Sequence, residues 1–68
     1  MTALVNGAPR ELEAGTTVAR VVEQLGHDPG GRGVAVAVNG EVVPRASWET
    51  RVVSDGDRVE VLAAIGGG

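Results

Sequence analysis

The sequence predicts an α+β roll, a mixed sheet of four to five strands packed on one helix. Three observations predict it. Two valine-led Asn-Gly pairs, Val5-Asn6-Gly7 and Val38-Asn39-Gly40, mark hairpins, because both central residues of a type I′ turn need positive φ. Between them lies a single stretch with helical apolar spacing. After the second hairpin an apolar-rich run, "RVEVLAAI", leads almost to the end of the chain.

The first hairpin occupies "TALVNGAPRELEAG". Its leading strand is apolar at Ala3, Leu4 and Val5 and belongs inside a sheet. The return strand sets Pro9, Arg10, Glu11 and Glu13 around Leu12, the pattern of an edge, where a missing N–H is tolerated. In "GTTVARVVEQLGHDPGG" either Thr16 or Thr17 can serve as N-cap. Val18, Val21, Val22 and Leu25 fall at i, i+3, i+4 and i+7, one apolar face for a sheet. Gly26 suits the left-handed position after the helix, and Pro29 blocks its continuation. Valine is a mediocre helix former, so packing must supply most of the helix stability.

Val34 to Val38 are apolar in both registers, as a central strand requires. Asn39-Gly40 then turns the chain and Pro44 ends the partner strand. An irregular stretch and a tight turn at Ser54-Asp55-Gly56-Asp57 precede a last strand from about Arg58 to Ile65. With period two, Val59, Val61, Ala63 and Ile65 share its core face, and Arg58, Glu60, Leu62 and Ala64 the other. Strand, strand, helix, strand, strand and final strand, with a helical crossover that permits parallel pairing, is the order of the ubiquitin-like β-grasp. The expected organisation is one domain over 1–65 followed by a flexible glycine tail at 66–68.

Composition removes several functions. Sixty-eight residues make one domain at most, and a chain of this size buries roughly 60% of its unfolded surface. The net charge is -3, and the six basic residues are scattered arginines with no lysine. Nucleic-acid binding needs a basic stripe and stacking aromatics, and the one aromatic residue is Trp48. A protein partner with a positive surface suits the charge better. Without cysteine there are no disulfides or thiolate sites, and a lone histidine argues against zinc. The start "MTALVNG" is unlike a signal peptide and no run reaches membrane-spanning length. A soluble cytoplasmic protein is the expectation.

Side-chain catalysis has little to work with. His27 reads as an exposed loop residue just past a helix. Asp55 and Asp57 read as turn residues rather than an acid–base pair. "GGRG" at Gly30–Gly33 follows a helix instead of opening one, which makes it a connection rather than a phosphate cradle. Trp48 reads as a partly buried lid on a core of small side chains.

The ending "LAAIGGG" is the informative stretch. Glycines add nothing to a core and lose the most freedom on ordering, so the tail is either incidental or the working part. Three residues reach about 10–11 Å at ~3.3–3.6 Å each, and a thread without Cβ atoms enters channels closed to other residues. Its carboxylate is a weak electrophile until activated as an acyl-phosphate or acyl-adenylate. The constellation suits a carrier whose C-terminus is activated by another enzyme. Leu62 and Ala64, with Ile65 beside the tail, are the expected docking residues.

The stretches "LVNGAPRELEAGTTVARVVEQLG", "GVAVAVNGEVVPRASW", "DGDRVEV" and the closing "GGG", in this order, resemble the ThiS family of thiamine-biosynthesis sulfur carriers. The resemblance covers essentially the whole chain. It implies a non-enzymatic carrier with Gly68 as the reactive residue, Gly67 as its partner in the required diglycine, and Gly66 as an additional spacer. It implies adenylation by an E1-like adenylyltransferase of the ThiF type, which consumes ATP and magnesium, while the carrier itself binds no cofactor. Sulfur then comes from a donor such as a cysteine desulfurase, and the thiocarboxylate is handed to a thiazole synthase of the ThiG type. A terminal diglycine is shared with ubiquitin-like modifiers and the molybdopterin synthase small subunit, and these remain the alternatives. Without cysteine the terminal carboxylate is the only plausible covalent sulfur site.

Overall fold

The computed structural model describes residues 1–28, 30 and 32–64. Pro29 as helix stop, Gly31 of "GGRG", Ile65 and the Gly66–Gly68 tail lie outside the described residues. The elements are β1 (Thr2–Val5), β2 (Ala8–Glu11), α1 (Val18–Gln24), β3 (Val34–Val38), β4 (Glu41–Val42) and β5 (Arg58–Ala63), with a 3-10 turn at Arg45–Ser47. The sheet order is β2-β1-β5-β3-β4. β1 and β5 run parallel, with Leu4 opposite Arg58 and Val5 opposite Val59. β3 and β5 are antiparallel over five residue pairs, from Val34–Ala63 to Val38–Val59. The last described strand, β5, is therefore the centre of the sheet, and β2, carrying Pro9, is an edge as its sequence predicts.

Both hairpins turn as the Asn-Gly pairs predict. Asn6 and Asn39 sit at φ 51° and 53°, and Gly7 and Gly40 at 83°. Asparagine tolerates the left-handed region better than other side-chain-bearing residues, and glycine adopts it freely.

Thr17, not Thr16, caps α1: its Oγ1 accepts the Arg20 N–H at 3.3 Å. Two further N–H groups of the first turn find carbonyls in a distant segment, Val18 donating to Arg51 and Ala19 to Trp48 at 2.9 and 3.0 Å. The helix thus starts only where the chain after β4 is docked against it. At the other end Gly26 is left-handed at φ 86°. Its N–H bonds the Glu23 carbonyl and the His27 N–H the Val22 carbonyl, the paired bonds of a Schellman stop. His27 itself is half-buried, less exposed than a free loop residue.

Val18, Val21 and Val22 are fully buried against Ala3, Val5, Val36, Val38, Val59 and Val61, and Leu12, Val43, Trp48 and Val53 complete the cluster. Leu25, the fourth residue of the predicted face, is half-buried against it. Trp48 corrects the sequence reading: it is 2% exposed, a member of the core rather than a partly buried lid. Its indole N–H donates to the Val43 carbonyl at 2.9 Å inside the core, which allows a polar tip to be buried. Ala63 is the second correction, exposed although it continues the face of Val59 and Val61. Seven helical residues span about 10 Å at 1.5 Å each, while six strand residues span about 20 Å. The helix is too short to cover the strand to its end.

Trp48→Phe replaces the indole with a smaller aromatic ring and leaves the Val43 carbonyl without its donor. We expect a loss of about 1–3 kcal/mol, read as a lower urea midpoint by far-ultraviolet circular dichroism.

Candidate functional site: the end of the central strand

The face of the sheet turned away from α1 carries Leu4, Arg58, Glu60, Leu62, Ala35, Ala37 and Val42, since paired residues share a face. Among these, Leu62 is 71% and Val42 77% exposed, with Leu4 at 38%. Ala35, which the both-faces pattern of β3 placed under cover, is exposed too. Along β5 this face begins charged, with Arg58 and Glu60, and becomes apolar at Leu62 and Ala64, as predicted. Leu62 stands between two shallow grooves. One is bounded by Gly33, Val34, Ala35, Ala63 and Ala64, the other by Leu4, Asn6, Gly7, Arg58 and Glu60. The structure brings two of the three predicted docking residues, Leu62 and Ala64, to the exposed end of β5; Ile65 and the glycines Gly66, Gly67 and Gly68 lie outside the described residues.

What holds this end of the strand lies far away in sequence. The Asn6 side chain accepts the Val61 N–H through Oδ1 at 2.8 Å, and the Gly33 carbonyl accepts the Ala64 N–H at 2.6 Å. Gly33 adopts φ 67°, a conformation that suits glycine. At the start of β5 the Asn39 Oδ1 accepts the Arg58 N–H at 2.9 Å, and its amide donates to Asp57 Oδ1 at 3.0 Å. The repeated "VNG" is therefore more than two similar turns, for each asparagine also bonds the backbone of β5. The only available signal was that repeat, which does not reveal the strand each side chain meets.

The two turn carboxylates are occupied structurally. Asp55 Oδ1 accepts the Thr2 N–H at 2.9 Å and Asp57 Oδ2 the Ser54 N–H at 2.8 Å. The Ser54 N–H foremost, then the Asn39 amide, hold the Asp57 carboxyl below the usual aspartate range, with Arg51 adding a weaker attraction. Among the described residues no cluster of three His, Asp or Glu side chains is placed to hold a metal. No described helix is long and apolar enough to cross a membrane.

Sheet order, the one α-helix among the described residues and the central position of β5 define a ubiquitin-like β-grasp protein. The chain belongs to the ThiS family, whose model matches residues 3–68. It is 38% identical over 68 residues to the sulfur carrier protein ThiS of Escherichia coli, covering all of both chains. It is 42% identical over 64 residues to that of Thermus thermophilus, covering 94% of this chain and 95% of the relative. It also matches a thiazole synthase of Paramagnetospirillum magneticum at 43% identity over its full 68 residues, and there it spans only 20% of the longer protein. The crystal structure of the thiamine biosynthesis protein ThiS from Geobacter metallireducens superposes with a TM-score of 0.78 at 36% identity, covering all of both chains.

A carboxyl held low in the folded state contributes stability above its unfolded pKa, and that contribution fades as pH falls through the folded value. Asp57→Asn keeps an acceptor for Ser54 without the titration. Its stability should therefore fall less steeply than the parent's below about pH 4, the ordinary aspartate range, as measured by urea midpoints across an acid series.

Proposed function

We propose that this chain is a sulfur carrier for thiamine biosynthesis, working through its C-terminal glycine and not through a side chain. The observation that carries the reading is full-length similarity to two sulfur carriers, in a chain that ends in glycines and contains no cysteine. In this reading a carboxylate oxygen of Gly68 attacks the α-phosphorus of ATP on an E1-like adenylyltransferase and pyrophosphate leaves. A sulfur nucleophile then attacks the carbonyl carbon and AMP leaves. Sulfur delivered as a persulfide first gives an acyl disulfide, which a thiol reduces with two electrons to free the thiocarboxylate. The carrier contributes no acid, base or metal. Gly66 and Gly67 admit the terminus to a narrow site, and Leu62, Ala64 and Ile65 contribute apolar surface whose burial offsets the cost of ordering that thread.

Thiazole synthase is the proposed acceptor of the sulfur. Two thiazole synthases contain a stretch similar to this chain within a longer polypeptide, at 43% and 41% identity. That juxtaposition supports a carrier and a synthase that meet repeatedly. A cysteine desulfurase is the proposed source of sulfur, and ATP and magnesium are consumed by the activating enzyme.

Incubation with ATP and magnesium, the adenylyltransferase, a desulfurase and cysteine should raise the intact mass by the difference between sulfur and oxygen. The change should map to Gly68 and be absent when Gly68 is deleted. Conjugates on the lysines of other proteins would instead indicate a modifier, and transfer to a pterin precursor the molybdopterin alternative.

Leu62→Asp should weaken binding to thiazole synthase by about tenfold or more, the range for losing an apolar anchor. Since Leu62 is exposed, the unfolding midpoint should stay near the parent's.

A further inference from the structure

We propose that Asn6 is a positioning residue for the C-terminal reaction, fixing the line along which the chain leaves the sheet; the functional half of this proposal rests on the carrier reading above. β1 pairs with β5 only at Leu4–Arg58 and Val5–Val59, and the chain then turns away at Asn6-Gly7. The Asn6 N–H still reaches the Val59 carbonyl at 2.9 Å. Its side-chain oxygen takes the next donor on the β1 edge of β5, the Val61 N–H, at 2.8 Å. Asn6 Oδ1 thus stands where the carbonyl of a continued β1 would stand, and extends the parallel ladder past the turn that ends it. On the opposite edge β3 holds the strand as far as Ala63, and the Gly33 carbonyl holds Ala64. Leu62 and Ala63 are therefore gripped from one side alone, by β3, while Asn6 is the last described group gripping β5 from the β1 side. Removing it releases Val61 on the β1 side, so that β5 is held by β3 and Gly33 alone through the stretch that carries Leu62 and Ala64.

Asn39 provides a control within the same molecule. It has the same Val-Asn-Gly context, nearly the same φ (53° against 51°), and a side-chain acceptor on the same strand. Its bond, however, is made to Arg58 at 2.9 Å, at the end of β5 remote from the C-terminus. Asn39 makes two side-chain bonds and Asn6 one, so loss of Asn39 weakens the fold at least as much as loss of Asn6. Only loss of Asn6 loosens the end from which the terminus is presented. A terminus less well directed requires more ordering at the moment of binding, which appears as a higher KM with kcat unchanged.

The test compares the full chain with Asn6→Gly, Asn6→Asp and Asn39→Gly. Glycine accepts the left-handed turn without strain and aspartate restores the acceptor. The first readout is amide hydrogen exchange at Val61 by NMR, and the second is ATP–pyrophosphate exchange with an E1-like adenylyltransferase already shown competent on its own carrier. We expect Asn6→Gly to exchange faster at Val61 and to raise the KM for the carrier about three- to tenfold, the scale of one net hydrogen bond. Asn6→Asp should restore the parent's KM, and Asn39→Gly should lower the unfolding midpoint while leaving KM as it was. The proposal is overturned if Asn6→Gly has the parent's KM, if Asn39→Gly raises KM equally, or if Val61 remains protected in Asn6→Gly. A parent chain that supports no exchange overturns the carrier reading itself and this proposal with it, and that outcome differs from the others because the parent alone reveals it.

Discussion

The central strand of this sheet is β5, the last of the described strands in sequence order. β5 has to enter between β1, more than fifty positions upstream, and β3, and until it does the two hairpins share no edge. Closing loops of that length costs entropy before any contact forms, and the cost grows only slowly with length. The five-pair ladder with β3 and the burial of Val59 and Val61 then offset it. Much else follows from this insertion. The two Asn-Gly turns have their side chains over the same strand, the turn at 54–57 is held to Thr2, and the apolar cluster closes only once Val59 and Val61 are in place.

The helix depends on the same closure. Seven residues rich in valine make a poor autonomous helix. Two of its first N–H groups are bonded to Arg51 and Trp48 carbonyls, and its buried face is supplied by the sheet. A single tryptophan, hydrogen-bonded at Val43, is the one aromatic side chain in a core made mostly of valine. A core of valines packs well between a thin helix and a sheet, and it leaves the far sheet face free for other uses.

Periodicity and turn chemistry carried most of the architecture. The valines at helical spacing, the Asn-Gly turns, the proline-bearing edge and the alternation along β5 are local features, and local features survive being read one residue at a time. The discrepancies arise where burial depends on what lies opposite. Trp48 can be buried whole because a carbonyl five residues earlier accepts its N–H, and Ala63 is exposed because the helix stops short. For the candidate site, the exposed Leu62 and Ala64 were legible from period two alone. The groups that hold the strand around them, Asn6 at Val61 and Gly33 at Ala64, were not, because no spacing within either segment says which strand will lie beside it.

The parallel pairing of β1 with β5 also has a mechanical consequence. β1 starts near the amino end of the chain and β5 ends near the carboxyl end, and the two are direct neighbours. A pull applied through both ends loads their hydrogen bonds in shear, all together, instead of peeling them one by one. On the other edge the antiparallel ladder with β3 shares the load. Shear loading of this kind resists extension more than peeling does, in a domain whose core is mostly valine.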